Sequence, residues 1–581
     1  MPLCYSRPEE VDDGESLTDA SAKHLSYVGK AAHDELSTKH QRQHHKLWNV
    51  TSGKVIGDLH HSPRFDTSPK SIHTHPPSDD DNWLPEKMAE ILSKTRIWGD
   101  LMSLSPPDGL FMVEMKKALE VIHRNATDQE NPVIVRMMFG NVLGMATNCD
   151  AVIKELTKDL PDDTNIRLWV GAWRKRASWN HAKLIAVDGK YLHTGGHNMW
   201  DPHYLRGNPV HDVSLEMEGR ITKDGHLYAN DQWAFIKRKQ SSFIGAVIDK
   251  LPDNWTLPSI TQVTVSEYPS KLADEFPPIF EKSFVPDYER NSTHVPVISI
   301  GRSGPLLFQK RPSDEAFIAM IDSAKHIIRL TLQDLGPLCI PGTKIALPGL
   351  KWPKPYLNAF ARAIWKRGVD IEIVLSNPRS IPNGLSPLEG CYGNGWTCND
   401  VASEIIKRIK KQFNNTNDAE LRKMVTDNLR ICYIRHGKTT NYPDGGNIGL
   451  HSKFFIIDDV ATYIGSQNLY DCDLAEWGVL VDHVNETTKM KSDYWTPMWE
   501  ASFTGEDCDV ETVMDGLDIE RDGKRVIAVP FMDRADAYAA ARGNQLPPTN
   551  VNTNASFYEK DKATTDILVT HSRIEVTPSK D

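Results

Sequence analysis

The chain is predicted to be an α/β protein of two lobes, a pseudo-dimer in which each lobe is a mixed sheet flanked by helices and the active site lies at the lobe interface. Two stretches 270 residues apart carry the same residues at the same spacing: His181-x-Lys183-x4-Asp188-x6-Gly195-Gly196-x-Asn198 and His451-x-Lys453-x4-Asp458-x6-Gly465-Ser466-x-Asn468. Five such positions in one order would coincide by chance about once in 10⁷ starting points at ordinary residue usage. The order of helices and strands around the first stretch recurs around the second, which marks an internal duplication. A Pro-rich segment of little periodicity separates the two.

Residues 1–84 are polar, broken by Pro, Ser and Asp, and end in Pro76-Pro77-Ser78-Asp79-Asp80-Asp81. This composition predicts a disordered N-terminal segment. It holds His40, His44, His45, His60, His61, His73 and His75, but no ligand spacing and no Cys or acidic partner at motif offsets, so no metal is expected.

The first lobe, 85–256, alternates. Helical periodicity covers Leu110 to Ala126 and Ala151 to Leu160; strands are expected at Val133 to Phe139, Ile166 to Val170 and Asp212 to Met217. Each motif runs into an apolar strand, Leu184 to Val187 in the first and Phe454 to Ile457 in the second, followed by a short strand at Lys190 to Thr194 and Ala461 to Ile464. Residues 257–296 are expected to be an inter-lobe connection. In the second lobe, 297–533, helices are expected at Asp314 to Lys325, Tyr356 to Arg367 and Val401 to Phe413, and strands at Ile327 to Leu332, Ile371 to Leu375 and Leu429 to Ile434. Such alternation indicates sheets sandwiched by helices. Residues 534–581 are a polar tail.

His and Lys two apart on extended backbone project from one face, so each motif offers an imidazole beside an ammonium. The glycines let backbone or ligand approach closely, and the Asn that follows can donate to an anionic oxygen. If the copies face each other, two His, two Lys and two Asn surround one small volume that fits a phosphodiester. A phosphoryl centre needs its non-bridging oxygens neutralised, a nucleophile in line and an acid for the leaving oxygen. Lys183, Lys453, Asn198 and Asn468 meet the first need without a metal or other cofactor. One neutral His attacks phosphorus to give a phosphohistidine, while the other protonates the leaving alkoxide and then deprotonates water. The symmetry of the motifs does not order the two. Asp188 and Asp458 belong to the candidate catalytic set, with a structural part in holding the motif His or the following turn.

The residues resemble the phospholipase D superfamily, whose signature is H-x-K-x4-D. Ser178-Trp179-Asn180-His181, Gly195-Gly196-His197-Asn198-Met199-Trp200 and His211-Asp212-Val213-Ser214-Leu215 resemble the secreted actinomycete enzymes, as do Tyr463 to Tyr470 and Glu476 to Val481, where Glu476-Trp477-Gly478 replaces an Asp-Phe-Gly. Weaker echoes lie in Val295 to Ile298, Gln333-Asp334-Leu335 and Val374 to Pro378, so the likeness spans about residues 85–505. The resemblance implies that His181 is the nucleophile and His451 the acid/base. Gly195, Gly196, Trp200, Asp212, Gly465, Ser466 and Tyr470 form the candidate substrate-binding set. Trp200 and Tyr470 stand at equivalent places and are expected to hold a head-group ammonium by cation-π attraction or to pack in the core.

With 581 residues, 39% hydrophobic and 25% charged, the chain can bury a large core. A net charge of −11 disfavours a nucleic-acid partner and with it the nuclease branch. The first ten residues lack a basic and an apolar segment, and no run of about 18 apolar residues occurs, so neither a signal peptide nor a transmembrane segment is expected. The expected protein is a monomer, cytoplasmic or peripheral to membranes, whose partner is phospholipid at a membrane or micelle surface. Eight Cys without a CxxC pair make zinc unexpected and leave disulfides undecided, and seven N-x-S/T sequons argue weakly for secretion. The leading expectation is a metal-independent phospholipase D acting on phosphatidylcholine-like glycerophospholipids, with transphosphatidylation. A cardiolipin-synthase-like phosphatidyltransferase, a nuclease of the same superfamily and a catalytically silent lipid-binding protein are the alternatives.

Overall fold

The computed structural model describes residues 24–521, except 64–82, 143–145, 206–208, 241–260, 270–275, 282–292, 305–310, 338, 340–344, 347–349, 379, 383–390, 393–395, 415 and 443–444. The polar tail predicted at 534–581 lies outside the described residues.

The chain enters through a helix, Tyr27–Lys39, and a long strand β1 (Trp48–Ser62). The first half of the sheet contains β2 (Trp98–Met102), β3 (Val133–Gly140), β4 (Ile166–Lys175), β5 (Ser178–Trp179), β6 (Leu184–Val187), β7 (Tyr191–Gly195), β8 (Asp212–Glu218) and β9 (Thr261–Tyr268). After β10 (Val295–Ser303) the second half contains β11 (Ile327–Leu332), β12 (Asp370–Leu375), β15 (Leu429–Tyr433), β16 (Phe454–Ile457), β17 (Ala461–Gly465) and β18 (Ala475–Val481). Two-residue strands β13 (Ile381–Pro382) and β14 (Cys391–Tyr392) pair separately.

Apart from β5 and β9, which both pair with β4, the strand order β15-β12-β11-β16-β17-β18-β10-β1-β8-β7-β6-β2-β3-β4-β5 reads the same from either side towards the β10–β1 pair. In each half three parallel strands (β11, β12, β15 and β2, β3, β4) are followed by an antiparallel run carrying the motif strand, β16 or β6. The registers agree as well: Phe454 faces Ile464 as Leu184 faces Thr194. The duplication seen in the motifs is therefore a duplication of the whole half-sheet. Helices cover both halves. A 20-residue helix, Ile221–Gln240, which the periodicity does not suggest, buries Tyr228, Ala229, Trp233 and Ile236; the Tyr228 hydroxyl donates to the Arg302 carbonyl of β10, and Trp233 and Ile236 lie against Gly171 of β4.

The expectation of disorder across 1–84 is corrected for residues 24–63. Ser26 caps the helix Tyr27–Lys39 by accepting from the Val28 and Gly29 amides, and Val28, Ala32 and Leu36 are fully buried. These residues repeat every four positions, one apolar stripe among Lys and His; burying each Val or Leu is worth about 1.5–3 kcal/mol. β1 pairs with β10 through residues 48–53 and with β8 through 54–62, so it stitches the two halves together. The inter-lobe connection predicted at 257–296 is also not all loop, since β9 lies against β4 over eight residues.

Candidate active site

Each motif sits where a strand begins. His181 and Lys183 precede β6, and His451 and Lys453 precede β16, which places them beside the C-terminal ends of the parallel strands, where ligands gather in open α/β sheets. The two halves hold each other there by backbone bonds. The His181 amide donates to the Ala475 carbonyl (2.8 Å) and the His451 amide to the His211 carbonyl (2.7 Å). The residues after those carbonyls are Glu476 and Asp212.

Those carboxylates cross the interface. His181 Nδ1 lies 2.9 Å from Glu476 Oε1, and His451 Nδ1 lies 2.7 Å from Asp212 Oδ2. An ionised carboxylate only accepts, so each Nδ1 carries its proton and each Nε2 presents a lone pair. The ring centroids are 6.5 Å apart with planes at 70°. Both rings are nearly buried, 4% and 2% exposed.

Lys183 Nζ donates to the His181 carbonyl at 2.8 Å, and Lys453 Nζ bonds the His451 carbonyl in the same way. Asn198 is fully buried, and its side-chain nitrogen and oxygen have no hydrogen-bond partner among the described residues. Asn468 Nδ2 donates to the Tyr470 hydroxyl at 3.0 Å. Thus the structure brings together both His, both Lys and both Asn, as the duplicated spacing requires.

The motif aspartates are elsewhere. Asp188 accepts from the amides of Arg96, Ile97 and Trp98 at 2.7–2.9 Å, and Asp458 from those of Lys325, His326 and Ile327 at 2.6–2.8 Å. Both lie at the far end of the motif strand from the His, with φ of 51° and 53° in the tight turn that follows it. Their placement in the catalytic set is corrected: they pin the start of the neighbouring strand β2 or β11.

All seven substrate-binding expectations change as well. A Cβ on Gly196 would lie 1.9 Å from Asp212 Oδ1, and one on Gly195 2.3 Å from Ser214 Oγ; one on Gly465 would meet the Tyr463 hydroxyl at 2.3 Å. These glycines make room for the neighbouring strand and for Asp212. Asp212 itself backs His451. Ser466 is tied to Trp477 of β18 through its amide and hydroxyl. Trp200 is buried in the core of the first half, its ring 4.8 Å from that of His203; Tyr470, also buried, is the partner of Asn468. Neither ring stands at an open mouth.

Glu476, Tyr204 and Arg302 lie outside the site residues expected from the sequence. The Tyr204 hydroxyl donates to Asp212 Oδ2 (2.9 Å) and lies 3.3 Å from His451 Nδ1. Arg302 bonds Glu476 through one nitrogen and Asp314 through another. The sequence signal for Glu476 is the acidic residue that opens an apolar stretch after each motif, Asp212-Val213-Ser214-Leu215 and Glu476-Trp477-Gly478-Val479; in the structure Gly196 and Ser466 face Val213 and Trp477, which makes Asp212 and Glu476 equivalent residues 264 apart.

Burial holds His181 well below the ordinary histidine value, and the charges of Lys183, Lys453 and Arg302 act the same way. Burial and Lys453 do so for His451, against the pull of Asp212. Lys183 is lowered well below a free lysine by burial and by Lys453, and Lys453 is lowered to about 8 by burial, against Asp212, Glu476 and Asp334. Burial raises the carboxyl of Glu476, with Arg302 opposing. Burial also works against the Asp212 carboxylate, but His451, His197 and Lys453 outweigh it and keep it far down. A phosphodiester monoanion entering the cleft would offset the two ammonium charges and make a proton on one imidazole affordable.

No family model matches the chain. A phospholipase D from Streptomyces antibioticus is 24% identical over 344 residues, covering 56% of this chain and 59% of that protein, so the chain spans less than two thirds of the relative's length. Among solved structures, a phosphatidylserine synthase from Haemophilus influenzae Rd KW20 is similar at a TM-score of 0.43 and 10% identity, covering 82% of this chain and 92% of that one. NucT from Helicobacter pylori is similar at 0.19 and 16% identity, covering 32% and 87%.

Proposed function

We propose that this chain, a relative of the phospholipase D superfamily, is a phosphodiesterase that cleaves the head group from a phosphatidylcholine-like glycerophospholipid to leave phosphatidic acid, and passes the phosphatidyl group to alcohols as well as to water. The observation that carries the reading is the pair of imidazoles 6.5 Å apart, each oriented by a carboxylate from the other half of the sheet. A tetrahedral phosphorus between them has one ring in line with the scissile P–O bond and the other at the leaving oxygen.

In this reading His181 Nε2 attacks phosphorus, the P–O bond to the head group breaks, and the leaving oxygen takes a proton from His451. Lys183, Lys453 and the free amide of Asn198 neutralise the non-bridging oxygens. Neutral His451 then removes a proton from water or an alcohol, which displaces His181. The net charge of −11 supports a lipid over a polynucleotide substrate.

The test is choline release from phosphatidylcholine in mixed micelles with a few per cent ethanol. Choline together with phosphatidic acid and phosphatidylethanol supports the reading. Cleavage without phosphatidylethanol at any alcohol concentration points to direct displacement by water, and cleavage of a nucleic acid but not of lipid would replace the substrate class.

A further inference from the structure

The two half-sites match in backbone register but not in charge. β10 pairs with β18 so that Arg302 faces Glu476, and β1 pairs with β8 so that Ser62 faces Asp212. Arg302 and Ser62 therefore occupy one structural place, beside the carboxylate that backs a motif histidine. Ser62 Oγ lies 3.1 Å from His197 Nε2, whose ring is also 2.9 Å from Ser214 Oγ. Arg302, 1% exposed, is held by Asp314 at 3.0 and 3.1 Å, and Asp314 accepts from the Tyr356 hydroxyl (2.6 Å) and from Gln467 (3.2 Å).

We propose that Arg302 is the positioning residue that makes the two imidazoles inequivalent: it neutralises the carboxylate behind His181, so that His181 stays unprotonated and attacks, while Asp212, with a serine at the matching place, leaves His451 able to take and give the proton. This rests on the phosphodiesterase reading above.

The charged groups facing His181 are Lys183 beside it, Lys453 before β16, Glu476 on β18, Arg302 on β10 and His451 across the cleft. Three of them are cations against one anion. Facing His451 are Lys453, Lys183 and Asp212, with the Tyr204 hydroxyl as a neutral donor to the carboxylate. The burial of the two rings is alike, so the guanidinium is the main difference in charge. It agrees that Arg302 lowers His181, whereas Asp212 pulls His451 upward.

The test compares Arg302→Lys with the double variant Arg302→Gln/Asp314→Asn, which removes the buried ion pair as a unit and avoids an unpaired Asp314. Two quantities are read: the acid limb of kcat/KM against pH with phosphatidylcholine micelles, and the titration of the His181 ring by NMR of ¹⁵N-histidine-labelled full-length protein. Without the guanidinium, Glu476 favours the protonated His181. A protonated ring cannot attack, so the acid limb and the ring titration both move up by about one unit or more in the double variant, while Arg302→Lys keeps both near wild type. A double variant that loses rate equally at every pH, with the His181 titration unmoved, overturns the proposal. If the wild type does not cleave lipid, the substrate reading falls, and the ring titration still decides the part played by Arg302.

Discussion

His181 and His451 stand at equivalent ends of equivalent strands, 270 residues apart, yet their carboxylates live in different surroundings. Glu476 is sandwiched between His181 and the buried Arg302, while Asp212 is shared by His451 and the Tyr204 hydroxyl. Duplication supplied two copies of one geometry; the strands outside the motifs, β1 and β10, supplied the difference. Position is common to the halves, and proton affinity is what distinguishes them.

The comparison breaks most visibly at the histidines. His181→Ala and His451→Ala are each expected to lower kcat/KM by at least about 10³-fold, since either removes a group needed in the transition state. Near wild-type turnover in either variant would mean that the halves do not form one site. The carboxylates sharpen the contrast. Asp212→Asn is expected to cost about 100-fold and Glu476→Gln about 10-fold, because the charge of Glu476 is already compensated by Arg302; the reverse order in steady-state kinetics would assign the proton transfer to the other half.

The two ammonium groups set a pH limit. Burial and their mutual repulsion hold Lys183 well below a free lysine and burial lowers Lys453 to about 8, so kcat/KM should fall on the alkaline side as the pair loses its protons, by about pH 8 at the latest. A flat profile to pH 10 would show that the paired ammonium charges are not needed. The smallest effect on chemistry belongs to the motif aspartates. Asp188→Ala strands three backbone amides and should destabilise the fold by about 1–3 kcal/mol, read as a lower Tm, with kcat preserved below the transition.

Much of this arrangement was legible in the chain. The continuous apolar, β-prone runs at Leu184 to Val187 and Phe454 to Ile457 located the motif strands, and the helix at Tyr356 to Arg367 ended where expected, at Gly368 in the left-handed region. The meeting of both His–Lys pairs followed from the repeat. What stayed hidden depends on pairings distant in sequence. Composition made residues 24–63 look disordered because Val28, Ala32 and Leu36 are sparse among polar residues, and only the second half of the sheet supplies the surface that buries them. The partners of the histidines were hidden likewise: Asp212 and Glu476 reach across from the other half, and no local pattern announces a bond between residues 239 or 295 apart. For Trp200 and Tyr470 it is the core-packing alternative that holds, since equivalence in the repeat says where a side chain begins but not whether it is buried.

The covalent step separates the halves most directly. Full-length His451→Ala protein, mixed with phosphatidylcholine micelles and quenched in alkali, should carry a phosphatidyl adduct on His181 that is found by peptide mass spectrometry, because the group that activates water is gone. His181→Ala protein treated identically should carry none. An adduct on His451 in the His181→Ala protein, with none on His181 in its counterpart, would contradict the account.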